Sequence, residues 1–299
     1  MRALGVEFLF DLSPVARGKL TLSRPSSLDV DADGRLFIID YPDLTNAEAY
    51  YSPGRNRSRI VTFHPETGRR ADIDMPDVED FQADLIRITA GGDLLLVRYG
   101  QWPEGTVNGV VMSPGGHIRQ LFRFGECVAD VAVDDAGRIF VLYNEEGFFG
   151  ALRKGQPLIE LYGPDGGRIE GDPQLTRILT HLHEWYDGSR IHVFPDGGVL
   201  VNGTHYFDVH GDLVSALWSG SMWNITVVDE YDNIFFIPPR GGGLFLLVPG
   251  HGGFAEAAME TSRPVAYDEY AWHHAARGGH LYLLNKRIPK VEVFRIRYS

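Results

Sequence analysis

A unit of two short apolar strands joined by a tight turn occurs six times along the chain. The copies are SSLDVDADGRLFIID (26–40), DLIRITAGGDLLLVRYG (84–100), ADVAVDDAGRIFVLYN (129–144), SRIHVFPDGGVLVNG (189–203), NITVVDEYDNIFFIP (224–238) and AWHHAARGGHLYLLN (271–285). Aligned on the turn, their marker residues are Gly34, Gly92, Gly137, Gly197, Asp232 and Gly279. The average spacing of about 49 residues is typical of propeller blades with four strands. The repeat therefore predicts an all-β, six-bladed β-propeller.

The ends of the chain supply strands that can close such a ring. VEFLFDL (6–12) precedes the first unit, and KVEVFRIRYS (290–299) follows the last one. Pairing them within one blade would remove the open sheet edge, so we expect this closure. A β-sandwich with coincidental turns is the alternative fold, and six similar units argue against it.

Length and charge restrict the partners. The 299 residues are predicted to form one domain (1–299), and the formal net charge of -12 disfavours nucleic acid and anionic membranes as partners. Cys127 is the only cysteine, so an intramolecular disulfide is excluded. The first residues read as a strand rather than a signal peptide, and no apolar run reaches the length of a membrane span. We predict a cytoplasmic protein.

About five of the six units have the form of a known repeat. RPSSLDVDADGRLFIID and VADVAVDDAGRIFVLYN show it most clearly and resemble the NHL repeat. The resemblance implies the superfamily that also contains the SMP-30/gluconolactonase group and strictosidine-synthase-like proteins, which are propellers with about six blades. Its members include binding scaffolds, lyases and hydrolases. The N-terminal acidic-Gly-Pro-x-Trp type motif of the gluconolactonase group is missing, so that group's metal ligands are not transferred to this chain.

Polar side chains concentrate at alternate positions of the first strand of each unit. The positions four and six residues before the marker are almost all apolar, whereas those five and seven residues before it carry charged and aromatic groups. Because side chains alternate between faces along a strand, we expect the second set to face the central channel. The polar members of this set are Asp29, Arg87, Asp130, Arg190, His192, His274 and Trp272.

These residues predict a small-molecule enzyme that performs acid–base chemistry, such as hydrolysis, elimination or cyclisation, at the mouth of the channel. His192 and His274 would transfer protons, and Asp29 and Asp130 would orient them. The remaining members of the predicted site would bind a small, anionic substrate: Arg87, Arg190, Trp272, Tyr99, Trp102 and Arg240.

Other interpretations remain open at this stage. Asp29–Arg87 and Asp130–Arg190 can be structural ion pairs between adjacent blades. Two histidines and two aspartates can also hold a divalent metal, as in a metal-dependent lactonase-like hydrolase. A third alternative is a non-catalytic, NHL-like binding or scaffold propeller. THLHEWYDG (180–188) adds His181 and His183, but its pattern favours a short helix around 173–185, on which the two rings diverge.

Overall fold

The structure is a computed structural model. It describes residues 3–12, 20–42, 58–99, 105–125, 127–143, 157–182, 190–216, 225–238, 243–250, 253–259, 261, 265, 274–285 and 289–299. These residues form six four-stranded antiparallel sheets arranged as the blades of a propeller. The predicted fold is confirmed.

In the first five blades the strands pair in chain order from the channel outwards. Numbering along the chain begins with the N-terminal strand β1 (Ala3–Leu12), which belongs to blade six. Blade one therefore begins with β2. Blade one is β2 (Pro25–Val30), β3 (Leu36–Asp40), β4 (Arg59–Phe63) and β5 (Arg70–Ile73). Blade two is β6 (Leu85–Ile88), β7 (Leu94–Val97), β8 (Gly109–Met112) and β9 (Ile118–Phe122). Blade three is β10 (Val128–Val133), β11 (Ile139–Tyr143), β12 (Ile159–Tyr162) and β13 (Arg168–Ile169).

A helix separates the third and fourth blades, and the remaining strands follow it. The helix is α1 (Pro173–Leu182). Blade four is β14 (Ile191–Val193), β15 (Val199–Val201), β16 (His205–Phe207) and β17 (Leu213–Ala216). Blade five is β18 (Ile225–Val228), β19 (Ile234–Ile237), β20 (Phe245–Gly250) and β21 (Gly253–Ala258). Blade six combines β22 (Ala275–Arg277), β23 (His280–Asn285), β24 (Lys290–Tyr298) and β1.

The turn markers owe their residue types to backbone conformation. Each marker has a positive φ, from 63° at Asp232 to 87° at Gly197. Glycine adopts this region without the steric cost that a Cβ would bring, and Asp is among the residues that tolerate it best. The repeated Gly or Asp is therefore a requirement of the hairpin that joins the first two strands of each blade.

The sheet of blade six closes the ring. β1 pairs antiparallel with β24 in a register that runs from Ala3↔Tyr298 to Leu12↔Val291. The N-terminal strand thus forms the outer edge of a sheet whose other three strands come from the C-terminal end of the chain. The predicted closure is confirmed.

The hydrophobic core consists of clusters between neighbouring blades. The positions four and six residues before the marker face the preceding blade: Leu28 and Val30 of blade one pack with Tyr282 and Leu284 of blade six. The alternate positions face the following blade, as Ala132 of blade three shows by packing against blade four. The polar set therefore points into the interface with the next blade at the inner edge of each sheet, rather than straight into the channel.

Blade six departs from this numbering by one residue. Its first hairpin is a two-residue turn in which Gly278 and Gly279 both have positive φ, at 61° and 72°, and Arg277 pairs directly with His280. Ala276 packs with blade five, and Ala275 packs with blade one. Because one residue of slip exchanges the two faces of a strand, His274 lies on the face of Ala276, opposite to its expected position.

Helix α1 confirms the predicted helix over its described part. The Asp172 carboxylate accepts a hydrogen bond from the Leu175 N–H at 2.9 Å and caps the helix. Pro173 occupies the first helical position, where a backbone N–H would have no partner within the helix, so its absence costs nothing. Leu175, Ile178 and Leu182 bury one face of the helix between blades three and four. His183 lies outside the described residues. In the part of the chain that the structure describes, no helix is long and apolar enough to cross a membrane.

The closure of blade six depends on a buried cation. Lys290 Nζ lies 2.9 Å from both the Asp11 and the Glu292 carboxylates, which stand directly opposite each other on β1 and β24. We expect Lys290→Met to lower the free energy of unfolding by about 3–5 kcal/mol, because it leaves two opposed carboxylates without the ammonium between them. Urea unfolding measures this.

The matched control is Arg177→Met, which breaks the exposed 2.8 Å pair of Arg177 with Asp212. Its cost should stay below about 1 kcal/mol. Equal losses for the two variants would contradict a special role of Lys290 in closure.

Candidate functional site

The first strands of neighbouring blades contact one another around the channel, and polar side chains connect them. Asp29 on β2 accepts hydrogen bonds from the Val30 N–H and, across the interface, from the Ile88 N–H of blade two, both at 2.8 Å. Ser27 accepts a further one from the Ile86 N–H at 3.2 Å. The side chains of blade one therefore extend the hydrogen bonding of β2 to the next blade.

Blade two continues the series through Arg87. Its Nε donates to the Val131 carbonyl at 3.1 Å, and its Nη2 donates to Asp130 Oδ1 at 2.8 Å, so both bonds reach blade three. The sequence pattern had suggested Asp29–Arg87 as a structural pair. The structure places Arg87 in an ion pair with Asp130, while its charge also acts on Asp29.

The polar ring consists of Asp29, Arg87, Asp130, Arg190 and His192. Within it, Asp130 is bonded to both neighbouring blades. Its side chain is 0% exposed, and its Oδ2 accepts from the Ile191 N–H of blade four at 3.1 Å. Arg190 Nη1 of blade four lies 3.9 Å from the same oxygen. The predicted Asp130–Arg190 pair is thus present, and one carboxylate joins three consecutive blades.

His192 completes this run on blade four. The backbone of Thr226 on blade five lies close enough to the His192 ring to favour its protonated form. Burial, and then the positive charges of Arg87 and Arg190, lower the pKa of His192 to about 3. The imidazole is therefore neutral at ordinary pH, and the electrostatic field of the two guanidinium groups at this point is positive.

The pKa of Asp29 is raised, although the positive charge of Arg87 by itself would lower it. Burial raises it, and this effect exceeds the lowering by Arg87 and by the backbone N–H groups of Ile88 and Val30. Asp29 is therefore a weaker acid than an ordinary aspartic acid. A carboxyl group of this kind can hold a proton closer to neutral pH.

Tyr99 follows the second strand of blade two and marks the mouth of the channel. Burial raises the pKa of its phenol well above the ordinary value, Asp130 adds to this, and Arg190 and Arg87 oppose it. The charges of Asp130 and of the two arginines thus act on the Tyr99 phenol, and its role in substrate binding stays a prediction. Its N–H donates to the Asp84 carboxylate at 3.0 Å.

Asp84 and Tyr41 are polar groups at this end that the sequence pattern did not single out. The Tyr41 hydroxyl donates a short hydrogen bond to Asp84 and also contacts the Ala83 carbonyl at 2.9 Å. Burial raises the pKa of Asp84. Asp84 directly precedes β6 and lies eight residues before the turn marker Gly92. The predicted polar set takes only the positions five and seven residues before each marker, so it does not include Asp84.

His274 has a different position from the other predicted site residues. Its Nδ1 accepts a hydrogen bond from the Leu284 N–H of its own blade at 2.9 Å. Together with the changed face described above, this ties the ring to the sheet of blade six. Nothing described places it beside Asp130, the partner expected from the opposite-blade argument. Three more predicted residues, Trp272, Trp102 and Arg240, lie outside the described residues.

The polar ring around the channel does not have the composition of a metal centre. Within the described ranges, no group of three or more His, Cys, Asp or Glu side chains could hold a metal ion. In addition, Arg87 and Arg190 occupy the surroundings of Asp130 and His192, where they would repel a divalent cation. The described donor set fits an anion better than a metal.

The lowered pKa of His192 makes a prediction about stability. In the unfolded chain its pKa returns to about 6.5. As pH falls from that value to about 3, the unfolded chain takes up a proton that the folded protein excludes, so stability is lost. Urea unfolding between pH 7 and pH 4 should show a smaller loss for His192→Gln than for the wild type.

The control for this experiment is His181→Gln, because His181 lies exposed on α1. It should keep the wild-type dependence. Identical pH profiles for the wild type and His192→Gln would refute the assignment of a buried, neutral imidazole.

Comparisons with known proteins place the fold. No family model and no curated protein matches the chain. A solved structure of a protein of unknown function from Bacteroides thetaiotaomicron VPI-5482 is similar over 99% of this chain and 76% of its own, with 9% identity and a TM-score of 0.56. A glucose dehydrogenase covers 98% of this chain and 99% of its own at 14% identity and a TM-score of 0.54. A gluconolactonase from Xanthomonas campestris covers 93% and 87% at 12% identity and a TM-score of 0.53. At these identities the likeness concerns the fold alone, which this chain shares with solved proteins named gluconolactonase and glucose dehydrogenase.

Proposed function

We propose that this chain is a small-molecule enzyme that performs acid–base chemistry at the mouth of its channel, on a substrate that carries an anionic group. The observation that carries the proposal is the pairing of two guanidinium groups with one buried carboxylate, since Arg87 and Arg190 lie 2.8 Å and 3.9 Å from Asp130 and leave an excess of positive charge near His192. Such a field attracts an anion in spite of the acidic net charge of the whole chain. The fold is one that solved proteins named gluconolactonase and glucose dehydrogenase also adopt.

In this proposal Asp29 transfers the proton. Burial raises the pKa of its carboxyl and makes it a weaker acid than an ordinary aspartic acid, and Arg87 of the next blade lies close enough to act on its charge. An anionic group held at Arg87 would therefore stand beside the acid. His192, with a pKa of about 3, stays neutral near pH 7 and is therefore poorly suited to the proton-shuttle role expected from the sequence.

A non-catalytic binding propeller is the second candidate, and one observation favours it. The oxygens of Asp29 and Asp130 are all engaged in hydrogen bonds that join blades or fix their own strands. Carboxylates whose oxygens hold neighbouring blades together stabilise a scaffold whether or not the protein is an enzyme. The two candidates share the anion site and differ in whether bound ligand is converted.

The anion site is tested by thermal unfolding in sodium acetate and in sodium chloride at equal ionic strength. We expect acetate to raise the unfolding temperature of the wild type, and Arg190→Met to abolish this increase. Arg138→Met is the matched control, since Arg138 forms a 2.6 Å pair with Asp134 at the first hairpin of blade three, away from the mouth. An acetate effect that survives in Arg190→Met and in Arg87→Met refutes the site.

Turnover is tested with δ-gluconolactone and a panel of simple esters of carboxylic acids as probes. Where the wild type converts a probe, Asp29→Asn should lower kcat about a hundredfold or more, because it removes the proton donor while keeping the shape of the side chain. Asp33→Asn, on the exposed turn of the same hairpin, is the control and should keep full activity. Activity retained in Asp29→Asn refutes its role. Acetate binding without conversion of any probe favours the binding propeller.

A further inference from the structure

The interface between blades four and five contains two buried polar atoms that the fold itself does not use. His192 pairs with Leu200 across β14 and β15, and Thr226 pairs with Phe236 across β18 and β19. Leu200 and Phe236 belong to one buried cluster. Since residues directly opposite in an antiparallel pair share a face, both polar side chains point into this interface.

Neither atom has a hydrogen-bond partner among the described residues. Both His192 Nε2 and the Thr226 hydroxyl are buried, and the Thr226 residue is 2% exposed. A buried polar group without a partner loses the free energy of its hydration and gains no hydrogen bond in return. Folded proteins seldom leave such groups without a partner in one interface, and a bound water, ion or ligand can supply the partner that the chain does not.

The chemistry of the two atoms is complementary. Nε2 of a neutral imidazole accepts through its lone pair in one tautomer and donates an N–H in the other. A threonine hydroxyl can likewise both donate and accept. Together the pair offers two groups that can each take either role, which matches a hydroxyl.

The surroundings fix where such a hydroxyl would lie. Gly203 follows β15 at the mouth end, and a Cβ at this position would stand 2.0 Å from the Thr226 oxygen. Glycine is thus needed there to leave the Thr226 hydroxyl its place. Arg87 and Arg190 act on the same His192 ring. Arg190 precedes His192 by only two residues in the chain, so the proposed hydroxyl and anion positions lie close together on blade four.

We propose that His192 Nε2 and the Thr226 hydroxyl bind a hydroxyl group of the substrate beside its anionic group, so that the site selects small hydroxy acids over simple carboxylic acids. This inference rests on the proposed anion site and adds the second half of the recognition. Thr226 is then a specificity-determining residue that the apolar pattern of its strand conceals.

The test compares glycolate with acetate, which differ by one hydroxyl, in calorimetric titrations of the whole protein. The wild type should bind glycolate about three- to tenfold more tightly than acetate. Thr226→Val, which keeps the volume and removes the hydroxyl, should bind both equally, and Thr226→Ser should restore the preference. Thr62→Val is the matched control, because the Thr62 hydroxyl is buried and donates to the Ala71 carbonyl in blade one. It should keep the wild-type preference.

The outcomes separate the two proposals. Equal binding of glycolate and acetate by the wild type overturns the hydroxyl site and leaves the anion site standing. Binding of neither ligand overturns both. A preference that persists in Thr226→Val overturns the role of Thr226, and the wild-type comparison remains decisive even if that variant does not fold.

Discussion

The buried carboxylate of Asp130 is the interaction on which the arrangement of the inner strands depends. A fully buried charge is tolerated only where ion pairs and hydrogen bonds replace its hydration. Asp130 meets this requirement with Arg87 from the preceding blade and with the Ile191 N–H and Arg190 from the following one. Those partners can reach it only if blades two, three and four hold a fixed relative position. One electrostatic requirement thereby sets the geometry at the mouth of the channel.

That geometry has consequences for binding. The guanidinium groups that pair with Asp130 also act on His192. Burial is the largest cause of the lowered pKa of His192, and these two positive charges lower it further. In the proposed function an anion is favoured at such a place over a cation, as the sequence also predicted for the substrate. On this proposal the same residues both join the blades and bind the ligand, so the structural and functional interpretations of these residues are compatible.

The sequence predicts the fold far better than the site. The six-bladed architecture is readable because each first hairpin needs a residue that accepts positive φ, and this requirement leaves Gly or Asp at a regular spacing. The position of His274 is not readable, since the two-residue Gly278–Gly279 turn shifts its strand by one residue and exchanges its faces. Thr226 escaped notice because it occupies an otherwise apolar set, and only its buried, unused hydroxyl reveals it.

A crystal structure of the protein with bound glycolate tests the central claim most directly, namely that the residues joining the inner strands also form the ligand site. The account predicts the carboxylate of glycolate within hydrogen-bonding distance of Arg87 or Arg190, and its hydroxyl between His192 Nε2 and the Thr226 hydroxyl. Glycolate bound elsewhere, with the ring unchanged and unoccupied by it, would contradict the account.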